Sequence, residues 1–154
     1  GSHSSALIGD CSADRPSNLV PIITEVAIGK REKITVFGDD YNTPDGTCIR
    51  DYIHVVDLAK SHVKAIDFLI NNHGKHAFNV GTGIGVSVLD ALKVFEKTNN
   101  LTINYSIGPR RDGDIEKIYA NGSLIKSKLG WETEKTLKQG MISAWEWEKQ
   151  KSIH

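Results

Sequence analysis

Apolar residues recur at helical spacing through Leu19, Val20, Ile22, Ile23, Val26 and Ala27, directly after Pro16-Ser17-Asn18 and before Gly29. Proline, serine and asparagine favour a helix start, so the pattern predicts a helix with a polar N-terminus. Lys33 to Phe37 alternates and is rich in β-branched residues, then meets Gly38-Asp39-Asp40 and a loop holding Pro44-Asp45-Gly46. That is the signature of a strand followed by turns. Cys48 to Val56 reads as a second strand, with Asp57 placed to cap a helix carrying Leu58, Ala59, Val63, Ile66, Phe68 and Leu69 and ending near Asn71-Asn72.

Further along, His76 to Val80 predicts a short strand, Gly81-Thr82-Gly83-Ile84-Gly85 a turn, and Ser87 the cap of a helix reaching about Thr98. Thr102 to Ile107 reads as a strand and Gly108 to Gly113 as a charged loop. Ser123 to Leu129 reads as a short helix stopped by Gly130, and Leu137 to Lys149 as a closing amphipathic helix. The alternation of the two periods makes the fold class α/β, with neither an internal repeat nor a low-complexity segment. A chain of 154 residues buries about 70% of its unfolded surface, enough for a real core.

Composition acts mainly by exclusion. Nineteen Lys and Arg balance nineteen Asp and Glu without a long run of one sign, so neither a nucleic acid nor an anionic membrane is an expected partner. No apolar stretch approaches the ~18 residues of a membrane span. Cys11 and Cys48 lack metal or redox spacing, which fits a reducing, cytoplasmic setting. His3, His54, His62, His73, His76 and His154 form no ligand spacing, so no metal is expected. Trp131, Trp145 and Trp147 read as packing residues.

The glycine turn stands after a predicted strand and before a helix, the context of a dinucleotide-binding fingerprint. Its sixth position is Val86 rather than glycine, and no acidic residue follows at a strand end, so a plain turn is the better reading.

Three stretches lift the chain above an anonymous α/β domain. They are Pro16-Ser17-Asn18-Leu19-Val20-Pro21, Ile34 to Gly38 together with Asp45-Gly46-Thr47-Cys48-Ile49-Arg50-Asp51-Tyr52-Ile53-His54-Val55, and Pro109-Arg110-Arg111-Asp112-Gly113-Asp114. Tyr119-Ala120-Asn121 and Lys128-Leu129-Gly130-Trp131 follow the third. Together they resemble the UDP-glucose (UDP-galactose) 4-epimerase family of extended short-chain dehydrogenases/reductases, from about Gly1 to Lys149.

The resemblance implies the carboxy-terminal, substrate-binding part of an extended Rossmann-type enzyme whose amino-terminal NAD-binding core lies outside the chain. It implies that Asn18 and the Leu19 amide approach a diphosphate, as a helix N-terminus can. Thr35, Val36 and Phe37 would border the uracil, and Arg50 and Arg111 would hold the phosphates, which guanidinium forks suit. Asp114 would accept a ribose hydroxyl. Ile118 would wall the sugar near its C2 substituent, leaving the choice between hexose and N-acetylhexosamine open. Without the family, Asn18 is an ordinary N-cap, Arg50 and Asp51 a surface ion pair, and the Arg110–Asp114 loop simply solvated.

The family's chemistry needs a Tyr-x-x-x-Lys pair, in which nearby positive charge lets the tyrosine oxygen take the sugar's 4-hydroxyl proton. Four residues after Tyr41, Tyr52, Tyr105 and Tyr119 stand Asp45, Val56, Pro109 and Ser123, so no catalytic residue is expected in this chain. The implied activity is the NAD-dependent C4 inversion of UDP-glucose and UDP-galactose in galactose metabolism. This chain would supply the UDP-sugar-binding half and be inactive alone. Implied partners are the UDP-hexose, the amino-terminal Rossmann half packed against residues 48–70, and a second copy in a homodimer.

Residues 1–5 are either a leftover of expression or a native linker, because the family carries Gly-Ala-His-Pro-Ser at this point; residues 6–154 form the UDP-sugar-binding domain. Two alternatives stand beside this reading. One is a fragment of another nucleotide-sugar enzyme, a dehydratase or decarboxylase, though these carry Arg-Asp-Trp or Arg-Asp-Phe where this chain has Arg50-Asp51-Tyr52. The other is a stand-alone nucleotide-sugar-binding module. Edges meant for an absent half would also favour self-association.

Overall fold

The computed structural model describes residues 1–11 and 16–152. Helix α1 (Leu19–Ala27) leads into strand β1 (Ile34–Phe37), and β2 (Ile49–Asp51) into the long helix α2 (Val55–Asn71). Strand β3 (Gly85–Ser87) runs directly into α3 (Val88–Asn99), followed by β4 (Tyr105–Gly108), α4 (Ser123–Leu129) and α5 (Leu137–Lys151). The α/β expectation holds.

Two small sheets organise the chain. β1 and β4 run parallel, with Ile34 opposite Tyr105 and Phe37 opposite Gly108. β2 and β3 run antiparallel, with Ile49 opposite Ser87 and Asp51 opposite Gly85. A parallel pair needs a crossover, and α2, β3 and α3 all lie within it. The main core fills the space between β1, α1, α3 and α5, where Ile23, Ile34, Val36, Ala91, Leu92, Phe95, Ile103 and Met141 are buried. Trp145 closes it edge-on to Phe95, with ring centroids 6.1 Å apart. A second cluster of Ile125, Leu129 and Trp131 packs against Ile53, Ala65, Phe68, Phe78 and Val80. Trp131 and Trp145 are thus packing residues, as expected.

Several boundaries differ from the sequence expectation. The second strand stops at Asp51 rather than Val56 because His54, in extended backbone, caps α2: its Nδ1 accepts the Val56 amide at 3.1 Å. Asp57 is therefore not the cap. It sits inside the first turn, fully buried, and its Oδ2 receives the amides of Glu134 and Lys135 at 3.0 and 2.8 Å. His76 to Val80 is not a strand: no strand runs beside it among the described residues, and a strand needs a ladder partner for its backbone groups. Its aromatic residues pack instead, with the Phe68 and His76 rings 5.0 Å apart. The strand that does form here, β3, takes the end of the glycine turn.

Helix α2 leaves a face uncovered. Val55, Val63, Ile66, Leu69 and Ile70 are 44% to 67% exposed, and they share one side of a 17-residue helix at spacings that normally seek a core. Among the described residues no helix is long and apolar enough to cross a membrane.

Candidate functional site

The crossover brings the N-terminal end of α1, the β1 strand, Arg50 of β2 and the loop after β4 to one cleft of about 430 Å³. Asn18, Leu19, Thr35, Val36, Phe37, Arg50, Arg111 and Asp114 all line it. Asn18 stands in extended backbone at the start of α1, and its side chain makes no capping bond. Pro21 has no N–H, and the Ile22 amide is taken by the Asn18 carbonyl at 3.2 Å. The amides this end can offer an anion are therefore those of Leu19 and Val20.

Opposite that helix end, two cations converge on one carboxylate. Arg111 Nη2 donates to Asp114 Oδ1 at 2.8 Å, and Arg50 Nη2 lies 3.4 Å from the same oxygen. Arg50 Nη1 also donates to the carbonyls of Ile49, at 2.9 Å, and Ile115. The Arg111 guanidinium lies 5.4 Å from the centre of the Phe37 ring, within cation–π range. The hydrogen bond to Asp114, and then its charge, raise the Arg111 pKa above its ordinary value. Arg111 is 57% exposed, so the pair contributes little stability; its effect is to hold a guanidinium over the cleft. Arg110 faces elsewhere, 4.1 Å over the Tyr41 ring and 2.7 Å from Asp40 Oδ1.

Arg50 does not pair with Asp51, as its neighbourhood in sequence invites. The Asp51 carboxylate instead accepts the Thr82 and Gly83 amides, at 3.0 and 3.2 Å. The glycine turn thus spends these amides on an internal carboxylate and does not present them to a nucleotide phosphate.

Ile118 is not in the main cleft. It lines a second cavity of about 440 Å³, together with Asn79, Val80 and residues 119–121, and Arg50 and Asp51 border both cavities. Among the cleft-lining residues that the sequence reading did not single out are Cys48, Asp51, Tyr52 and Val88. Asp51 and Tyr52 stood inside the most specific motif and could have been found there; nothing in the sequence marked Val88. Burial pushes the Tyr52 phenol up to about 12, so it stays neutral at physiological pH. Among the described residues no three His, Cys, Asp or Glu side chains come together as a metal site.

The chain is thus an α/β domain whose main cleft is edged by guanidinium groups, a helix start and an aromatic strand end. It belongs to the family described as GDP-mannose 4,6 dehydratase, whose family model matches residues 11–143. It is 51% identical over 149 residues to the UDP-glucose 4-epimerase of Haemophilus influenzae, and 45% identical over 148 residues to that of Bacillus subtilis. These matches cover 97% and 96% of this chain and 44% of each relative, so the chain spans somewhat under half the length of these relatives.

Solved structures agree. A UDP-glucose 4-epimerase from Stenotrophomonas maltophila, with bound NAD and formylated UDP-arabinopyranose, matches with a TM-score of 0.96 and 44% identity, over 98% of this chain and 45% of that one. The Bifidobacterium longum enzyme in complex with NAD+ and UDP matches with a TM-score of 0.94 and 45% identity, over 99% of this chain and 45% of that one. The fold is accordingly a part of an extended Rossmann-type enzyme.

Proposed function

We propose that this chain is the UDP-sugar-gripping part of a UDP-glucose/UDP-galactose 4-epimerase. Its cleft takes the UDP moiety, and NAD serves the complete enzyme from residues outside this chain. The observation that carries the reading is the meeting of Arg50 and Arg111 on Asp114 Oδ1, across a cleft from the start of α1. A diphosphate entering there finds two guanidinium groups and the Leu19 and Val20 amides. Phe37 and the β1 backbone offer a flat, hydrogen-bonding wall for a pyrimidine, and Asp114 an acceptor for ribose hydroxyls. The second cavity, past Arg50 and walled by Ile118, takes the hexose.

Such a division suits an enzyme that must turn a 4-keto sugar over between two hydride transfers. Binding energy sits on the part of the substrate that stays still. The chain has no Tyr-x-x-x-Lys pair, so it is inactive alone. The uncovered face of α2 packs against the amino-terminal Rossmann half, as the expected contact of residues 48–70 requires.

The family model carries a dehydratase's name, but the Arg50-Asp51-Tyr52-Ile53-His54 string and the epimerase names of relatives 45–51% identical favour C4 inversion. The test is complementation with a recombinant amino-terminal half of a related epimerase. Mixing it with this chain should yield UDP-galactose 4-epimerase activity that neither piece has alone. Activity in the isolated chain, or a 4,6-dehydrated product from the mixture, would overturn the reading.

A further inference from the structure

The glycine turn takes no direct part in the main cleft, yet one side chain ties it to both cavities. Asp51 ends β2 beside Arg50. Its Oδ1 accepts the Thr82 amide at 3.0 Å and the Thr82 hydroxyl at 2.6 Å. Its Oδ2 accepts the Gly83 amide at 3.2 Å and the Ala120 amide at 3.1 Å. The four donors come from two segments, the turn and the stretch that carries Ile118. Hydrogen bonds to a carboxylate are the stronger kind.

The same stretch is held on its other side by backbone. Ile49 donates to the Glu116 carbonyl at 2.9 Å, and Ile118 donates to the Ile49 carbonyl at 3.1 Å. Ile118 and Tyr119 therefore lie between two fastenings to β2: a backbone bridge before them and the Asp51 carboxylate after them. The junction is tight, since a methyl group on Gly81 would collide with Asp51 Oδ2 and with Ala120 Cβ. Because Arg50 precedes Asp51, the spacing from the phosphate-facing guanidinium to the Ile118–Tyr119 wall is set within one short strand.

We propose that Asp51 is a positioning residue for the sugar end of the site: by holding the Ala120 amide and the Thr82–Gly83 turn, it fixes the Ile118–Tyr119 wall relative to Arg50. It governs how the hexose is held more than how UDP is gripped. The inference rests on reading the two cavities as a UDP-sugar site.

Asp51→Asn tests it with little change of shape. An amide has one accepting oxygen, so in either orientation its NH2 group faces at least one backbone N–H donor and part of the fastening is lost. Calorimetric titrations with UDP and with UDP-glucose, on wild type and variant, are paired with amide hydrogen exchange and circular dichroism. The ratio of UDP-glucose to UDP affinity should fall about tenfold, with any loss of UDP affinity smaller than that. Whichever amides the NH2 group faces, that of Thr82 or those of Gly83 and Ala120, should exchange about tenfold faster or more. An unchanged ratio, or equal weakening for both ligands, overturns the inference. A wild-type chain that binds neither ligand, even with an amino-terminal half added back, overturns the reading of the site and this inference with it, so the two failures are told apart by the wild-type titration. Gly81→Ala presses on the same junction without removing charge, and it carries the same comparison if Asp51→Asn does not fold.

Discussion

Arg111 donates to Asp114 Oδ1 at 2.8 Å while Arg50 stands 3.4 Å from the same oxygen. One carboxylate oxygen thus orients both cations of the cleft. Neither arginine must find its place from solvent when an anion arrives, which lowers the entropic cost of ordering a long side chain.

This arrangement separates two arginines that are neighbours in sequence. Arg111→Ala should weaken UDP binding by about 1.5–3 kcal/mol, the range for a lost hydrogen bond to a charged group. Arg110→Ala, whose guanidinium is engaged with Asp40 and Tyr41, should change it by less than about 0.5 kcal/mol. Calorimetry on the two variants checks the contrast, and equal losses would contradict the geometry.

His54 predicts an acid-sensitive fold. Burial lowers its pKa. The unfolded chain therefore takes up a proton near the ordinary imidazole value of about 6.5, where the folded chain resists it. Stability from this group is full above about pH 6.5 and declines as pH falls below it. Urea unfolding at a series of pH values should show that slope. His54→Asn, which keeps a capping acceptor for the Val56 amide, should flatten it.

Asp57 is the fastening between α2 and the loop before α5. Replacing it with Ala leaves the Glu134 and Lys135 amides without their acceptor, at a cost of about 2–4 kcal/mol in urea unfolding. Asp57→Asn should cost less. It keeps one accepting oxygen, and the buried Oδ1 of Asp57 makes no hydrogen bond in the wild type, so an NH2 group there displaces no existing bond.

The uncovered side of α2 gives a prediction about assembly. Ile66 is 64% exposed, so Ile66→Lys should leave the unfolding free energy of this chain within about 0.5 kcal/mol. The same change places a charge in the proposed contact with the amino-terminal half and should abolish co-purification with it. Loss of stability without loss of assembly would contradict the assignment of that face.

Much of this was legible in the sequence because it is local. Leu19 to Ala27, Ile34 to Phe37 and Ser123 to Leu129 follow from periodicity, caps and terminating glycines, and the motif strings place eight of the nine expected site residues in one cleft. Long-range pairing was not legible. Whether Asp51 turned to Arg50 or to Thr82, Gly83 and Ala120 depends on how β2 meets β3, and no window of sequence contains both. His76 to Val80 has a strand's composition but no partner beside it. Gly85 to Ser87 has little strand propensity and becomes one because Ile49 to Asp51 lies alongside. Ile118 faces the second cavity for the same reason, since its amide bonds to Ile49.

The most direct measurement is a calorimetric titration of the isolated chain with UDP, repeated on Asp114→Ala. The account predicts saturable binding of one UDP per chain with a Kd of about 1 mM or tighter, weakened about tenfold or more in the variant. No binding by the wild-type chain, even after an amino-terminal half is added back, or binding that Asp114→Ala leaves unchanged, would contradict it.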